Sequence, residues 1–224
     1  MTSRAEQDYL KAVFALGEYG DRVTIGLLAS HLDVAQPSVS VMVKKLAARD
    51  LVVHQPQGDV ALTSTGRLEA LRVLRRHRLL EAFLSETLGF AWEEVHAEAE
   101  VLEHSVSERL TSRIAEHLHH PARDPHGDPI PSESGDYPTA PDPPLASAAP
   151  GSRVRIARVK DRHPEILERL AADGLVPGVE LIVEGHDAFG GPLWVSTRFA
   201  RHALGPALVD AIAVEILPPA RRAR

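Results

Sequence analysis

The chain has 224 residues, a formal net charge of −6 and no cysteine. Its length fits one or two domains. Without thiols it has no disulfides, thiolate zinc sites or iron–sulfur clusters, so any metal must be held by nitrogen and oxygen ligands.

Helical periodicity opens the chain. "SRAEQDYLKAVFALGEYG" offers Ser3 as an N-cap, apolar residues at Tyr9, Leu10, Val13, Phe14 and Leu16, and Gly17 and Gly20 as stops. "TIGLLASHLDV" reads as a short helix opened by Thr24, and Asp33, Val34 and Ala35 make the turn after it. "QPSVSVMVKKLAARDL" is a further helix with Pro37 in its first turn. "LVVHQPQGDVALTSTG" alternates, turns at Gln57, Gly58 and Asp59, and alternates again, which is a hairpin pattern. Helix, short helix, turn, helix and hairpin are the order of a winged helix-turn-helix. In that fold the second helix of the motif enters the major groove by its N-terminal end.

Two longer amphipathic helices follow, "STGRLEALRVLRRHRLLEAFLSETLG" and "AWEEVHAEAEVLEHSVSERLTSRIAEHLHH", the second read as one continuous helix. Residues 121–152 are rich in Pro, Ser, Gly and Asp and read as a linker. Beyond it, "GSRVRIARVKD", a helical "HPEILERLAADG" and short strands punctuated by Gly and Pro suit a small SH3-like β-barrel. "MTSRAEQDYL" lacks a basic-then-apolar leader, and no apolar run reaches the roughly 18 residues of a membrane span. A cytoplasmic location without membrane contact is therefore expected.

The chemistry concentrates in "VHAEAEVLEH", residues 95–104. At about 100° per residue, His96, Glu100, Glu103 and His104 fall within an arc of roughly 100°. His77 and Glu81 lie four apart in "RRHRLLEAFL" and share a face of the preceding helix. One such residue would read as solvated surface. Imidazole and carboxylate interleaved on two helices suit a divalent transition metal.

On "HRLLE" and "VHAEAEVLEH", and more weakly on "QPSVSVMVKKL", "LTSTGR" and "LERLAADGLVPG", the chain resembles the diphtheria-toxin-repressor family of metal-dependent transcriptional regulators over almost its whole length. The resemblance implies a mainly α fold with small β parts. Residues 1–73 would be the winged helix-turn-helix and 74–140 the helical dimerisation and metal-binding domain, with the Pro-rich linker at about 121–150. Residues 151–224 would form an SH3-like (FeoA-like) domain. It further implies a primary metal site of Asp8, Glu100, Glu103 and His104 and a second site of His77, Glu81 and His96. In longer members the second site is completed from the SH3-like domain, where "DRHPEIL" offers His163 and Glu165.

Iron-responsive members of the family carry Met and Cys where this chain has Asp8 and Glu100; manganese-responsive members carry Asp and Glu. The resemblance therefore points to Mn²⁺ at two sites per subunit, with Fe²⁺, Co²⁺ or Zn²⁺ as substitutes in vitro. One departure stands out. Short manganese members place a Glu ligand three residues after that Asp, and this chain has Lys11, which sets it apart from their two-metal arrangement. The implied partner is a palindromic DNA duplex, bound by a homodimer without an organic cofactor. Gln36, Pro37, Ser38, Val39 and Ser40 would begin the recognition helix, Ser38 and Ser40 meeting phosphate or base and Lys44 meeting phosphate.

Other readings are an iron-dependent regulator of the same family, a metal-independent winged-helix regulator, and an enzyme. The last would use Glu93-x-x-His96 and Glu116-x-x-His119 as a di-iron carboxylate site. Both motifs fall on one helical pattern and the four-helix ligand set is missing, so no catalytic residues are expected.

Overall fold

The computed structural model describes residues 2–18, 22–54, 59–138, 142–160, 164–187 and 190–218. Helix α1 (Arg4–Gly17) begins at Ser3, whose hydroxyl accepts from the Glu6 amide while the Glu6 carboxylate accepts from the Ser3 amide at 2.7 Å. This reciprocal capping satisfies two amides that a helix end leaves open. Helix α2 (Ile25–Leu32) is capped by Thr24 and stops at Asp33, which adopts a left-handed conformation at φ 52°. Helix α3 (Gln36–Ala48) carries Pro37 in its first turn. Strands β1 (Val52–His54) and β2 (Val60–Leu62) pair antiparallel as the wing. Of the expected wing turn, Gln57 and Gly58 lie outside the described residues. Leu10, Leu28, Val39, Val43 and Leu46, with no exposure, form the centre of this domain's core.

Val39 thus corrects one expectation. It lies one turn before Val43 on the core face of α3, so it cannot reach DNA. Gln36, Pro37, Ser38, Val41 and Lys44 are the exposed positions of that segment, and Ser40 is half-buried with its hydroxyl donating to Gln36 O.

Helix α4 (Ser64–Leu88) is one unbroken helix from the wing into the helical domain. The next long stretch is not one helix. It breaks into α5 (Val95–Leu102) and α6 (Glu108–His117). Ser107 starts the second, its hydroxyl accepting from the Leu110 amide. Short hydroxyl side chains compete for nearby backbone groups and favour caps over helix interiors. Glu103 and His104 therefore sit in the turn after α5 rather than on its face.

Residues 121–150 are not a loose tether. Asp124, His126 and Asp128 are buried, and Tyr137 packs edge-on against Phe14 at 5.2 Å between ring centroids. Proline-rich composition forecast the lack of regular secondary structure, but carried no information about packing. Beyond a single 3-10 turn (Leu145–Ser147) come β3 (Arg153–Val159), α7 (Pro164–Ala172), β4 (Glu180–His186), β5 (Leu193–Ser196), β6 (Arg201–Leu204), α8 (Pro206–Ala211) and β7 (Ile212–Ile216). The strands form an antiparallel sheet in the order β6-β5-β4-β3-β7 over a core shared with α7 and α8. Among the described residues, no helix is long and apolar enough to cross a membrane.

Glu6 does more than cap. Its buried carboxylate meets Arg49 at 2.7 Å and Lys45 at 3.4 Å, tying α1 to α3. The hydrogen bond from Arg49, followed by those at Ser3, holds its pKa down at about 2. A carboxyl depressed in the folded state stabilises above its unfolded pKa, and that contribution is lost as pH falls toward the folded one. Glu6→Gln is expected to cost about 2 kcal/mol at pH 7, discounted for the partly exposed Arg49. The difference from wild type in urea unfolding should shrink steadily below about pH 4.5.

Candidate metal centre and DNA-binding face

Between α1, α4, α5 and the turn after α5, imidazoles and carboxylates crowd together. His77, on α4, is fully enclosed. Its Nδ1 lies 2.6 Å from Glu103 Oε2, and its Nε2 lies 2.8 Å from Glu81 Oε1 and 3.1 Å from His96 Nδ1. His96 Nδ1 also lies 3.1 Å from Glu81 Oε1. Burial disfavours a charged His77, but Glu81 and Glu103 outweigh it and bring its pKa up to about 9. Burial likewise works against ionised Glu81 and Glu103, and both are nevertheless held below the usual carboxylate range. For Glu81 the main cause is His77; for Glu103 it is the His77 hydrogen bond and the Lys11 charge.

Lys11 extends from α1 into this cluster, its Nζ 2.6 Å from Glu100 Oε1 and 2.7 Å from Glu103 Oε1. Burial alone would lower its pKa, but the two carboxylates raise it, so the ammonium stays charged. One turn earlier on the same face, Asp8 Oδ1 lies 2.8 Å from His104 Nε2. Desolvation pushes the Asp8 pKa up.

Three groups of donor atoms, each within 4.8 Å of one another, are present among the described residues: Asp8, Glu103 and His104; His77, His96 and Glu100; and Glu81, Asp124 and His126. The first holds three of the four residues expected at the primary site. Glu100 joins His77 and His96 instead. The second-site trio His77, Glu81 and His96 does meet, as the distances above show. Glu165 is exposed in the first turn of α7 and belongs to none of the three groups, and His163 lies outside the described residues. Sequence reasoning missed Asp124, His126 and Gln7. The first two were signalled by "DPHGDP", where two acids flank a histidine, but the surrounding prolines masked it.

The first group passes a test of fit for a metal. His104 Nδ1 donates to Gln7 Oε1 at 2.8 Å, so in the neutral ring Nε2 is a bare lone pair. That atom is buried and close to Asp8 Oδ1 and, at 3.3 Å, to Glu103 Oε1, yet it is aligned for a hydrogen bond with neither. A lone pair facing two carboxylates suits a cation, and fixing the ring through its other nitrogen is the usual support for a ligating histidine. Every donor is nitrogen or oxygen.

At the other end of the DNA-binding domain, α3 presents Gln36, Pro37, Ser38, Val41 and Lys44 to solvent. Val41 is 68% exposed and puts an apolar side chain on this face. An exposed second helix beside a two-stranded wing, joined through α1 to a nitrogen–oxygen donor cluster, is the arrangement of a metal-responsive, DNA-binding regulator. Comparison with known proteins narrows the class. Residues 1–60 match the profile described as "Iron dependent repressor, N-terminal DNA binding domain", and residues 63–132 match "Iron dependent repressor, metal binding and dimerisation domain". Residues 144–216 match "FeoA domain".

The iron-dependent repressor IdeR of Mycobacterium leprae is 32% identical over 192 residues, 79% of this chain and 82% of that protein. The diphtheria toxin repressor of Corynebacterium diphtheriae is 34% identical over 123 residues, 55% of this chain and 54% of that protein. A solved structure described as a manganese-dependent transcriptional repressor in complex with manganese is 41% identical with a TM-score of 0.88, covering 94% of this chain and 99% of that one. The manganese regulator SloR matches with a TM-score of 0.77 at 32% identity, covering 95% of this chain and 98% of that one. The chain belongs to the diphtheria-toxin-repressor family, a family of DNA-binding repressors and not of enzymes.

Lys11 generates a prediction with two opposite signs. Lys11→Met leaves Glu100 and Glu103 without their tethered counter-charge. The metal-free protein should lose about 2 kcal/mol of stability, less than a fully buried pair would because Glu100 is partly exposed. Mn²⁺ affinity should rise about tenfold, because a positive charge beside the donors is gone. Thermal unfolding without metal and calorimetric Mn²⁺ titration measure the two effects.

Proposed function

We propose that the chain is a manganese-responsive repressor of metal-homeostasis genes, acting in the cytoplasm as a homodimer on a palindromic operator. The observation that carries the choice of metal is the donor set: Asp8, Glu103 and His104, with Glu100 beside them, offer carboxylate and imidazole and no sulfur. Such sites suit Mn²⁺, whereas thiolate and thioether favour later or softer metals. The solved relative named for manganese, at 41% identity, supports the reading. The relatives named iron-dependent keep Fe²⁺ as the second reading.

Asp8 and Lys11 lie on α1, which packs against the α2–α3 unit through Leu10, Val13 and Phe14. Glu103 and His104 lie across the gap, in the turn after α5. The position of α1 therefore sets the orientation of α3 against the helical domain. Lys11 supplies one tether across the gap, and the Gln7–His104 hydrogen bond supplies another. A divalent cation held by Asp8, Glu103 and His104 would add a third, offsetting the carboxylates that otherwise repel one another. The conformation with all three is the one favoured for DNA, and linkage requires operator DNA to tighten metal binding by the same factor.

The helical domain exposes Leu88, Phe90, Val101 and Leu110, apolar side chains available to a second copy. Two α3 helices related by a two-fold axis would then address the two half-sites of a palindrome. On α3, Val41 is placed to contact a thymine methyl and Lys44 a phosphate, with Gln36, Pro37 and Ser38 at the helix start. The hydroxyl of Ser40 is engaged with its own backbone.

The deciding experiment titrates an operator-like duplex with the protein, metal-free and then with Mn²⁺, Fe²⁺, Co²⁺ and Zn²⁺ at fixed salt. Metal-dependent binding led by Mn²⁺ is expected, and binding that ignores a chelator would sink the reading. Asp8→Met should shift the preference toward Fe²⁺ or Co²⁺. Lys44→Ala should weaken binding evenly across sequences and reduce the salt dependence by about one phosphate contact.

A further inference from the structure

Helix α1 is held at both ends. Asp8 and Lys11 face the donor cluster, and Glu18, the C-cap residue, lies about 15 Å further along the axis than Asp8. A carboxylate at that end opposes the helix dipole, and no basic residue in the last turn of α1 offsets it. Helix stability therefore does not explain Glu18, but its partners do. Glu18 Oε1 accepts from the Tyr137 hydroxyl at 2.7 Å and lies 3.6 Å from Arg158 Nη1 on β3. The side chains of Glu18 and Arg158 are only 13% and 15% exposed, so water screens the pair little. The Tyr137 oxygen accepts in turn from Arg78 Nη1 of α4 at 3.2 Å. Arg158 and Arg78 meet again at Asp128 Oδ1, at 2.6 and 3.1 Å.

A fixed turn delivers Tyr137. The Ser132 amide donates to Asp136 O at 3.0 Å, and the Asp136 amide donates to Ser132 Oγ at 2.8 Å. Between them Gly135 has φ +90°, and a Cβ there would come within 2.7 Å of Leu68 Cδ1 on α4. The tyrosine ring then lies edge-on to Phe14 of α1. Upstream, Val159 of β3 donates its amide to His126 O at 2.8 Å, which fastens the same segment to the SH3-like domain. Burial pushes the Tyr137 phenol well above its usual range, so it remains a donor to Glu18.

We propose that Tyr137 and Arg158 are positioning residues for DNA binding: through Glu18 they hold the far end of α1 against α4 and β3, and so fix the tilt of the DNA-binding domain without metal. The inference rests on the reading of α1 as the element through which metal orients α3. One attachment point leaves a helix free to pivot, and a second fixes its direction. The bridge at Glu18 coexists with the Lys11 and Gln7 tethers, so it favours the same placement of α1. Metal then binds a population already enriched in the competent state, and less metal is needed. The SH3-like domain takes part in DNA binding by this contact, independently of any ligand it gives to a metal.

The chain has no cysteine, so Ser30→Cys on α2 and Glu168→Cys on α7, both at exposed positions, accept spin labels selectively. Double electron–electron resonance on metal-free full-length protein, diluted with unlabelled chain, should give one narrow distance. Tyr137→Phe keeps the ring, removes the hydroxyl and should broaden that distance. Glu18→Gln keeps an acceptor for Tyr137, loses the charge pair with Arg158 and should broaden it as well. The Mn²⁺ concentration for half-maximal binding of an operator-like duplex should rise about threefold in Tyr137→Phe, the scale of one net hydrogen bond. A lowered unfolding temperature with an unchanged distance would make Tyr137 a packing residue and overturn the proposal. So would a broadened distance with an unchanged Mn²⁺ requirement. Wild-type protein that binds the duplex regardless of a chelator overturns the proposed function instead, and the distances, which involve neither metal nor DNA, still decide whether the bridge fixes the tilt.

Discussion

Glu103 is withdrawn from water, and a carboxylate in that position needs compensating positive charge from its surroundings. His77 supplies it from α4 and Lys11 from α1. Each donor comes from a different part of the chain, so satisfying one carboxylate brings the DNA-binding domain, the long helix and the α5–α6 turn together. The arrangement stays incomplete at Asp8 and His104, whose Oδ1 and Nε2 lie 2.8 Å apart without the alignment of a hydrogen bond. A charge held almost in balance can respond to the arrival of one more cation.

Lys11 places a covalently tethered cation inside the donor cluster. An ammonium is a point charge on a flexible stem. It neutralises Glu100 and Glu103 without imposing coordination geometry, and it cannot leave. Part of the tether between α1 and α5 is therefore permanent, and metal acts on what remains. The donor cluster also reaches further than the resemblance suggested. Glu81 touches His77 and His96 on one side and faces His126 on the other, so the helical core is continuous with the loop that carries the SH3-like domain.

Much of this was legible in the sequence, because local rules decided it. Ser3, Thr24 and Pro37 open helices where capping and first-turn preferences put them. The helical spacing of His77 and Glu81 was carried intact into α4. What was not legible depended on competition or on distant packing. The pattern from Val95 to His117 has helical periodicity throughout, and Ser107 nevertheless starts a new helix inside it. Val39 reads as part of a polar helix start, but its position relative to Val43 and Leu46 turns it inward. The "DPHGDP" stretch has no periodicity at all, so nothing local reveals that the ring of Trp92, 34 positions earlier in the chain, stacks on its histidine.

Helix α4 runs unbroken for 25 residues, from the wing to Leu88. The expected boundary at residues 73 and 74 falls inside it, so that boundary divides the chain by role but not by stiffness. His77 and Glu81 keep a fixed rotational phase with respect to the start of the helix at the wing. Adding or deleting one residue between Ser64 and His77 would swing both side chains by about 100° about the axis. Exchange of DNA-binding domains between relatives is thus constrained by angle as well as by sequence: the junction belongs before Ser64, in the short connection after β2, where no helical phase is carried across.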